Sequence, residues 1–342
     1  MEKAKSEKAL LEVKNLRVSF FTRAGVVRAV GGISYTVHEN EIMGIVGESG
    51  SGKSVESYAI MGLLQKPGKV LGGEILFEGE DILKYNKAQM RDFRGKKAAM
   101  IFQNPMTSLN PVFTIGDQLC EALRAHDKSI SKKDAQKRVV EMLELVGINN
   151  AERRMKQYPH EFSGGMRQRV MIAMALIGNP KLLIADEPTT ALDVTIQAQI
   201  LELMRELQKK MGMGIIFITH NLAVVASLCD SVSVMYAGRI VEQGSVADIF
   251  YRSAHPYTGG LFRAVPRIDM KDGEKLIPIK GQSVDMLHMP AGCPYAPRCE
   301  FCTARCTRAV PPVTVVGEGH TASCWRLVPE ETESKEAESH AD

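Results

Sequence analysis

Apolar and polar residues alternate over Leu10–Phe20, with Leu11, Val13, Leu16, Val18 and Phe20 apolar, and this spacing predicts a strand. Val26–Val37 predicts a second strand after a turn at Arg23-Ala24-Gly25, the pair lying at one edge of a larger sheet. Ile42–Val46 is a continuous apolar run of buried-strand length, followed by a glycine- and serine-rich stretch and a predicted helix over Val55–Leu64. Gly72-Gly73 introduces a short strand, Glu74–Phe77, and Gly79-Glu80 a turn. Ala98–Phe102 reads as a buried strand that ends at Gln103 and is broken by Asn104-Pro105. From Gly116 to about Gly178 the period becomes helical, with Val139, Val140, Leu143 and Val146 at i, i+3/i+4 spacing. The break at Tyr158–Phe162 is followed by a second helix opening at Ser163-Gly164-Gly165. Lys181–Ala185 is a strand ending in Asp186-Glu187. Thr195–Met211 is an amphipathic helix, and Gly214–Thr219 is a strand ending at His220. Val232–Met235 and Arg239–Glu242 form a hairpin around Ala237-Gly238.

Strands alternating with helices imply a mainly parallel α/β sheet. Ligands of such sheets bind beyond the carboxyl ends of the strands. Gln103, Asp186 and His220 all follow strand ends, so they are expected to converge on the loop after Val46. From His255 prolines become frequent and periodicity fades. The expected organisation is a short flexible N-terminus over 1–9, a main α/β domain over 10–250 with a helical insertion at about 104–178, a cysteine-rich region over 251–330, and a disordered acidic tail over 331–342.

Composition changes this picture little. The 342 residues are 44% hydrophobic and 24% charged, ordinary for a globular chain. A net charge of +3 gives no ground for a nucleic-acid partner. No apolar run is long enough to span a bilayer, and Met1–Lys8 lacks an apolar signal core, so the chain is expected to stay in the cytosol. The seven cysteines are unevenly placed. Cys120 and Cys229 stand alone and are expected to be buried apolar residues. Cys293, Cys299, Cys302, Cys306 and Cys324 cluster near the C-terminus, and in a reducing compartment such a cluster points to metal rather than disulfides.

The candidate chemistry begins at Gly47-Glu48-Ser49-Gly50-Ser51-Gly52-Lys53-Ser54, which fits G-x-x-x-x-G-K-[ST] at every fixed position and lies between a strand and a helix. Its glycines let backbone N–H groups turn toward one point, and the helix N-terminus adds a positive dipole end. Lys53 is placed to reach the β- and γ-phosphates of a nucleoside triphosphate, and the Ser54 hydroxyl to bind Mg²⁺. Asp186 and Glu187 are adjacent on a strand, so their side chains diverge and take separate tasks. Asp186 suits Mg²⁺ and Glu187 suits activation of the attacking water, a role that a raised carboxyl pKa would assist. Ser163-Gly164-Gly165 at a helix start is a second anion site. One ATP already has its loop, so a second such site suggests that each chain completes another chain's site. Phe20 and Phe21 are both candidates to stack on adenine.

Taken together and in this order, the Gly47–Ser54 loop, Gln103, Ser163-Gly164-Gly165, Asp186-Glu187, Ala191-Leu192-Asp193 and His220 resemble the ATP-binding subunits of ABC transporters, across roughly residues 10–250. The resemblance implies a P-loop ATPase fold with an antiparallel edge subdomain and a helical insertion. It also implies a head-to-tail dimer that holds ATP between the loop of one chain and the Ser163 signature of the other. Gln103 would contact Mg²⁺ and water and sense the membrane partner. Glu187 would be the general base, Asp193 would lie at the dimer seam, and His220 would hold the γ-phosphate. Phe162 and Met166 depart from the Leu and Gln of the wider family and resemble its peptide-importing branch.

His255-Pro256-Tyr257-Thr258, Leu261, Ala264-Val265-Pro266, Gly292-Cys293-Pro294-Tyr295 and Pro297-Arg298-Cys299 resemble the tail of oligopeptide and dipeptide permease ATPases. That resemblance implies a cytoplasmic, peripheral ATPase subunit of a bacterial peptide importer, paired with a second, related ATPase as a heterodimer. Its other partners would be two transmembrane permeases and an extracytoplasmic substrate-binding protein. Related branches carry nickel, glutathione or oligosaccharides. A soluble ATPase of DNA repair or translation is the distant alternative. Cys293, Cys299, Cys306 and Cys324 match the family's Cys-x5-Cys-x6-Cys spacing with a later fourth cysteine, which implies a [4Fe–4S] cluster, with Zn²⁺ the alternative and Cys302 a substitute ligand.

Overall fold

A computed structural model describes residues 8–103, 108–190, 192–265 and 276–329. Met1 to Glu7, Asn104-Pro105, Ala191, Pro266 and the 331–342 tail lie outside the described residues.

β1 (Ala9–Thr22) and β2 (Gly25–His38) form a long antiparallel hairpin, and β3 (Ile42–Val46) leads into the glycine-rich loop and α1 (Lys53–Ile60). β4 (Gly68–Phe77), β5 (Glu80–Asp81), α2 (Lys87–Lys96) and β6 (Ala98–Ile101) follow. The helical block holds α3 (Ile115–His126), α4 (Lys132–Leu145), α5 (Ala151–Arg154) and α6 (Gly164–Leu176). Then come β7 (Leu182–Asp186), α7 (Val194–Met211), β8 (Gly214–Thr219), α8 (Leu222–Leu228), β9 (Ser231–Tyr236) and β10 (Arg239–Ser245). α9 (Val246–Tyr251), α10 (Pro256–Arg263), α11 (Ala304–Arg308), β11 (Thr314–Gly317) and β12 (His320–Ala322) complete the chain.

The strands make two sheets. One is four-stranded, β2-β1-β4-β5, and the other eight-stranded, β11-β12-β10-β9-β3-β8-β7-β6. In the larger sheet β9, β3, β8, β7 and β6 run parallel, so their carboxyl ends share one rim. Its strands read as unbroken apolar runs because both faces are covered. Ile216 and Ile218 of β8 pack with the antiparallel sheet, whereas Ile215 and Phe217, pointing the other way, pack against the helical block. No helix among the described residues is long and apolar enough to cross a membrane.

Five sequence expectations are corrected. The β1–β2 hairpin is not an edge of the nucleotide sheet but half of a separate sheet, held by the pairing of β1 with β4. β4 is longer than Glu74–Phe77 because it pairs with β1 back to Gly68, opposite Phe20. α1 ends well before Leu64: Gly62 turns left-handed at φ 59, and the Leu63 N–H closes back on the Tyr58 carbonyl at 2.7 Å. The boundary near residue 250 is not a break in the fold. β12 pairs with β10 (Glu242 opposite Ala322), and Tyr257 and Tyr295 share a buried cluster with Val46, Val234 and Tyr236. The region beyond residue 250 is therefore built onto the parallel sheet. Cys120 and Cys229 are half-buried rather than fully buried.

Candidate active site

The loop after β3 owes its shape to positions that exclude a side chain. Gly52 sits at φ 102, and a Cβ there would lie 2.4 Å from the Ala29 carbonyl oxygen. One at Gly47 would lie 2.1 Å from the Met235 carbonyl oxygen. α1 begins at Gly52 without any side-chain cap, which leaves its first N–H groups for an anion. Behind the loop, the Gly238 N–H donates to the Ser51 carbonyl at 2.8 Å, tying the loop to the β9–β10 turn.

Lys53 is buried, and its Nζ donates to the carbonyls of Gly47 and Glu48, each at 2.9 Å. Burial lowers its pKa, against the opposing charges of Glu187, Asp186 and Glu48. Ser54 Oγ donates to Asp186 Oδ1 at 2.9 Å, so two of the expected Mg²⁺ ligands already touch. Asp186, at the end of β7, is 1% exposed, and burial raises its carboxyl pKa.

Glu187 leaves the strand in the left-handed region, at φ 46, with its N–H on the Ile218 carbonyl of β8 at 3.0 Å. Such a conformation in a residue with a side chain is strained, and neighbours must hold it. Three side chains do so. Gln103 Nε2 donates to Glu187 Oε2 at 2.9 Å, Thr190 Oγ1 donates to the same oxygen at 3.0 Å, and His220 Nδ1 lies 3.2 Å from Oε1. Burial pushes the Glu187 carboxyl up. The hydrogen bonds from His220 and Thr190, with the charges of His220 and Lys53, outweigh burial and leave it below the ordinary value. The expectation of a raised pKa at this residue is therefore corrected; the raised carboxyl is Asp186. Thr190 was missed by the motif reading, although its position three residues after Glu187 was a usable signal.

The rim thus brings together Lys53, Ser54, Asp186, Glu187, Gln103 and His220. It does not bring in the second anion site: no hydrogen bond or ion pair among the described residues joins Ser163, Gly164 or Gly165 to the loop. Ser163 caps α6, accepting the Met166 N–H at 3.4 Å, and both it and Gly164 are exposed. Asp193 caps α7 in the same way, accepting from the Ile196 N–H at 2.9 Å. Of the two stacking candidates, Phe20 packs with the apolar cluster between the sheets. Phe21 is 43% exposed, with Lys69 Nζ 5.5 Å from its ring centroid.

The cysteines gather in one locale. Cys306 and Cys324 are buried, Cys293 and Cys299 half-buried, and Cys302 exposed. Burial pushes the Cys293 thiol up to about 11, and the nearby Cys306 and Cys324 add to that. Backbone N–H groups of Tyr295 and Ala296 act against it. Cys299 and Cys324 are raised by burial too, each opposed by a backbone N–H, from Phe301 and Arg326 respectively. Among the described residues no group of three or more His, Cys, Asp or Glu is arranged to hold a metal ion, contrary to the expected ligand set.

Comparison with known proteins agrees with this geometry. The ABC transporter family profile matches residues 30–190, and the profile described as the oligopeptide/dipeptide transporter C-terminal region matches residues 241–306. The chain is 54% identical over 317 residues to the dipeptide transport ATP-binding protein DppD of Bacillus subtilis (strain 168), covering 92% of this chain and 94% of that one. It is 51% identical over 322 residues to the oligopeptide transport ATP-binding protein OppD of Escherichia coli (strain K12), covering 94% of each. Among solved structures, the dimeric ATP-binding cassette MJ0796 in a post-hydrolysis state with ADP and Pi is similar with a TM-score of 0.62 at 25% identity. That match covers 69% of this chain and 98% of the other. cbiO1 of Clostridium perfringens, part of an ABC transporter complex, is similar with a TM-score of 0.62 at 30% identity, covering 72% and 92%. The chain belongs to the ATP-binding subunits of ABC transporters, in the branch that carries the oligopeptide/dipeptide C-terminal region.

Proposed function

We propose that the chain hydrolyses ATP on the rim of the parallel sheet with Glu187 as general base, and that it does so as the energising subunit of a peptide importer. The observation that supports the base assignment is the position of Glu187. It is held off the strand by Gln103, Thr190 and His220, beside the Lys53–Ser54–Asp186 group. Its carboxyl is ionised at neutral pH and so can accept a proton, although the depressed pKa makes it a weaker base than a raised one would be. The Gly47–Ser54 loop and the α1 N-terminus bind the phosphates, and Lys53 shifts from the loop carbonyls to the triphosphate. Mg²⁺, held through Ser54 and Asp186 with Gln103 alongside, supplies charge neutralisation on the phosphate oxygens when bound. Water oxygen bonds to the γ-phosphorus as Glu187 takes its proton and the bond to the ADP oxygen breaks. His220 orients Glu187 from the other side. Phe21, with its exposed ring, is the residue offered to adenine.

The exposed α6 N-terminus at Ser163 serves a second ATPase chain's nucleotide, with Asp193 at the seam, so two sites form between two related chains. The partners are two permeases and an extracytoplasmic binding protein, which places this subunit at the cytoplasmic face of the membrane. A groove of about 780 Å³ beside Gln103 and Ser108, walled by Met100, Met171 and Met174, is the contact offered to a permease. Cys293, Cys299, Cys306 and Cys324 are the ligands of a structural centre, [4Fe–4S] or Zn²⁺. The four-thiol donor set and the backbone N–H groups aimed at three of its sulfurs support that reading. Iron and zinc analysis of anaerobically purified protein tests it: iron with a visible absorbance band is expected, zinc alone selects the alternative, and neither metal refutes the centre.

Glu187→Gln tests the main reading. Turnover is expected to fall at least about 100-fold, the range for losing a general base, while ATP still binds. Retained hydrolysis in that variant, with its partner subunits present, would remove Glu187 from the role.

A further inference from the structure

Glu48 places a carboxylate inside the phosphate loop, where a negative charge opposes a triphosphate. The region beyond residue 250 answers that charge. Glu48 Oε2 accepts from Arg298 Nη1 at 2.7 Å and from Ser283 Oγ at 2.6 Å, and the Glu48 N–H donates to Tyr257 Oη at 2.9 Å. Arg298 is itself fixed. Its Nε donates to the Lys280 carbonyl at 3.0 Å, its Nη1 lies 3.4 Å from Tyr236 Oη, and its side chain is 7% exposed. Tyr236, Tyr257 and Tyr295 pack ring against ring behind it, at centroid separations of 4.6 to 5.3 Å. Burial raises the Glu48 carboxyl, but the hydrogen bonds from Arg298 and Ser283 outweigh it and keep the group ionised. The pair is half-enclosed, so water screens it less than a surface pair.

We propose that Arg298 is a positioning residue for nucleotide binding. By neutralising and pinning Glu48, the C-terminal region sets the charge and order of the phosphate loop, and so the affinity for MgATP, without touching the nucleotide. The proposal rests on the reading of Gly47–Ser54 as the ATP site and adds a purpose for the region that follows the ATPase sheet. A merely structural arginine and a charge-balancing one differ in what rescues its loss. If Arg298 balances Glu48, removing the carboxylate as well removes the repulsion.

The test is calorimetric titration of the full-length chain with MgATP, with the melting temperature of each variant as the folding control. Arg298→Gln is expected to weaken ATP binding about tenfold, the order expected when a partly buried carboxylate loses its partner. Arg298→Lys keeps the charge and is expected to lose less than about threefold, and Glu48→Gln in the Arg298→Gln background recovers most of the loss. Arg298→Gln binding within twofold of the unaltered chain, or a double variant no better than Arg298→Gln alone, overturns the proposal. Should Arg298→Gln not fold, Ser283→Ala carries the test, with about threefold weaker binding expected and no change counting against the clamp. Failure of the unaltered chain to bind MgATP would instead sink the reading of the loop itself.

Discussion

At the scale of single residues, the site is organised by carboxylates whose surroundings pull them apart. Glu187 is held down by donors and Asp186 pushed up by burial, two neighbouring acids given opposite surroundings. A third acid, Glu56 on α1, is fully buried against Tyr35, whose hydroxyl donates to it. Burial, opposed by that hydroxyl and reinforced by the charge of Asp186, raises its pKa from 4.5 to about 8. The folded chain therefore binds this proton more tightly than the unfolded one. The resulting stabilisation is complete below pH 4.5 and is lost as pH rises through about 8. Thermal unfolding across that window is expected to show the melting temperature falling with pH, and Glu56→Gln is expected to flatten the slope. An unchanged slope would show that other groups carry it. Most of the residues that meet at the rim were legible in the sequence because each motif is contiguous and ends a strand. Glu56 with Tyr35 was not legible, because their pairing is set by how α1 lies under β2. Nor was Arg298, 250 positions from Glu48 along the chain.

At the scale of elements, the strand ends do the assembling. β3, β8, β7 and β6 run parallel, so the loop, His220, Asp186-Glu187 and Gln103 reach one rim without any of them lying on a long excursion. This was foreseeable from the alternation of apolar strands with helices. The separate antiparallel sheet was implied by the family resemblance but not by the alternation, because β1 and β2 carry the same pattern whichever sheet they join. What decides it is the partner, β4, whose pairing extends ten residues from Gly68 to Phe77. The loop between β3 and α1 tolerates no added methyl at Gly52, where left-handed backbone and the Ala29 carbonyl coincide. Gly52→Ala is expected to abolish measurable ATP binding while circular dichroism still reports the fold. ATP affinity within threefold of the unaltered chain would show that the loop adapts.

At the scale of the whole molecule, the region beyond residue 250 is part of the ATPase. Glu242 of β10 is fully buried and accepts from the Ala254 N–H at 2.6 Å, the His255 N–H at 3.0 Å and His320 Nε2 at 2.9 Å. It thereby joins α10 and β12 to the sheet. Glu242→Ala strands these donors and is expected to cost about 3 kcal/mol or more, read from denaturant unfolding as one transition shifted to lower midpoint. Two separated transitions would show the C-terminal region to be an independent domain after all. The composition shift near residue 250 suggested such a domain because prolines and cysteines mark irregular backbone, and irregular backbone conceals a three-residue strand such as β12.

That short hairpin also closes one side of the larger sheet. β12 pairs with β10 at Glu242 and Gln243, and β11, only four residues long, becomes the outermost strand on that side. An edge this brief offers few unpaired backbone groups to another chain, although Val313 and Val315 stand exposed beside it. A chain ending before Thr314 would instead present seven-residue β10 as an open edge, and its failure would be seen first as aggregation.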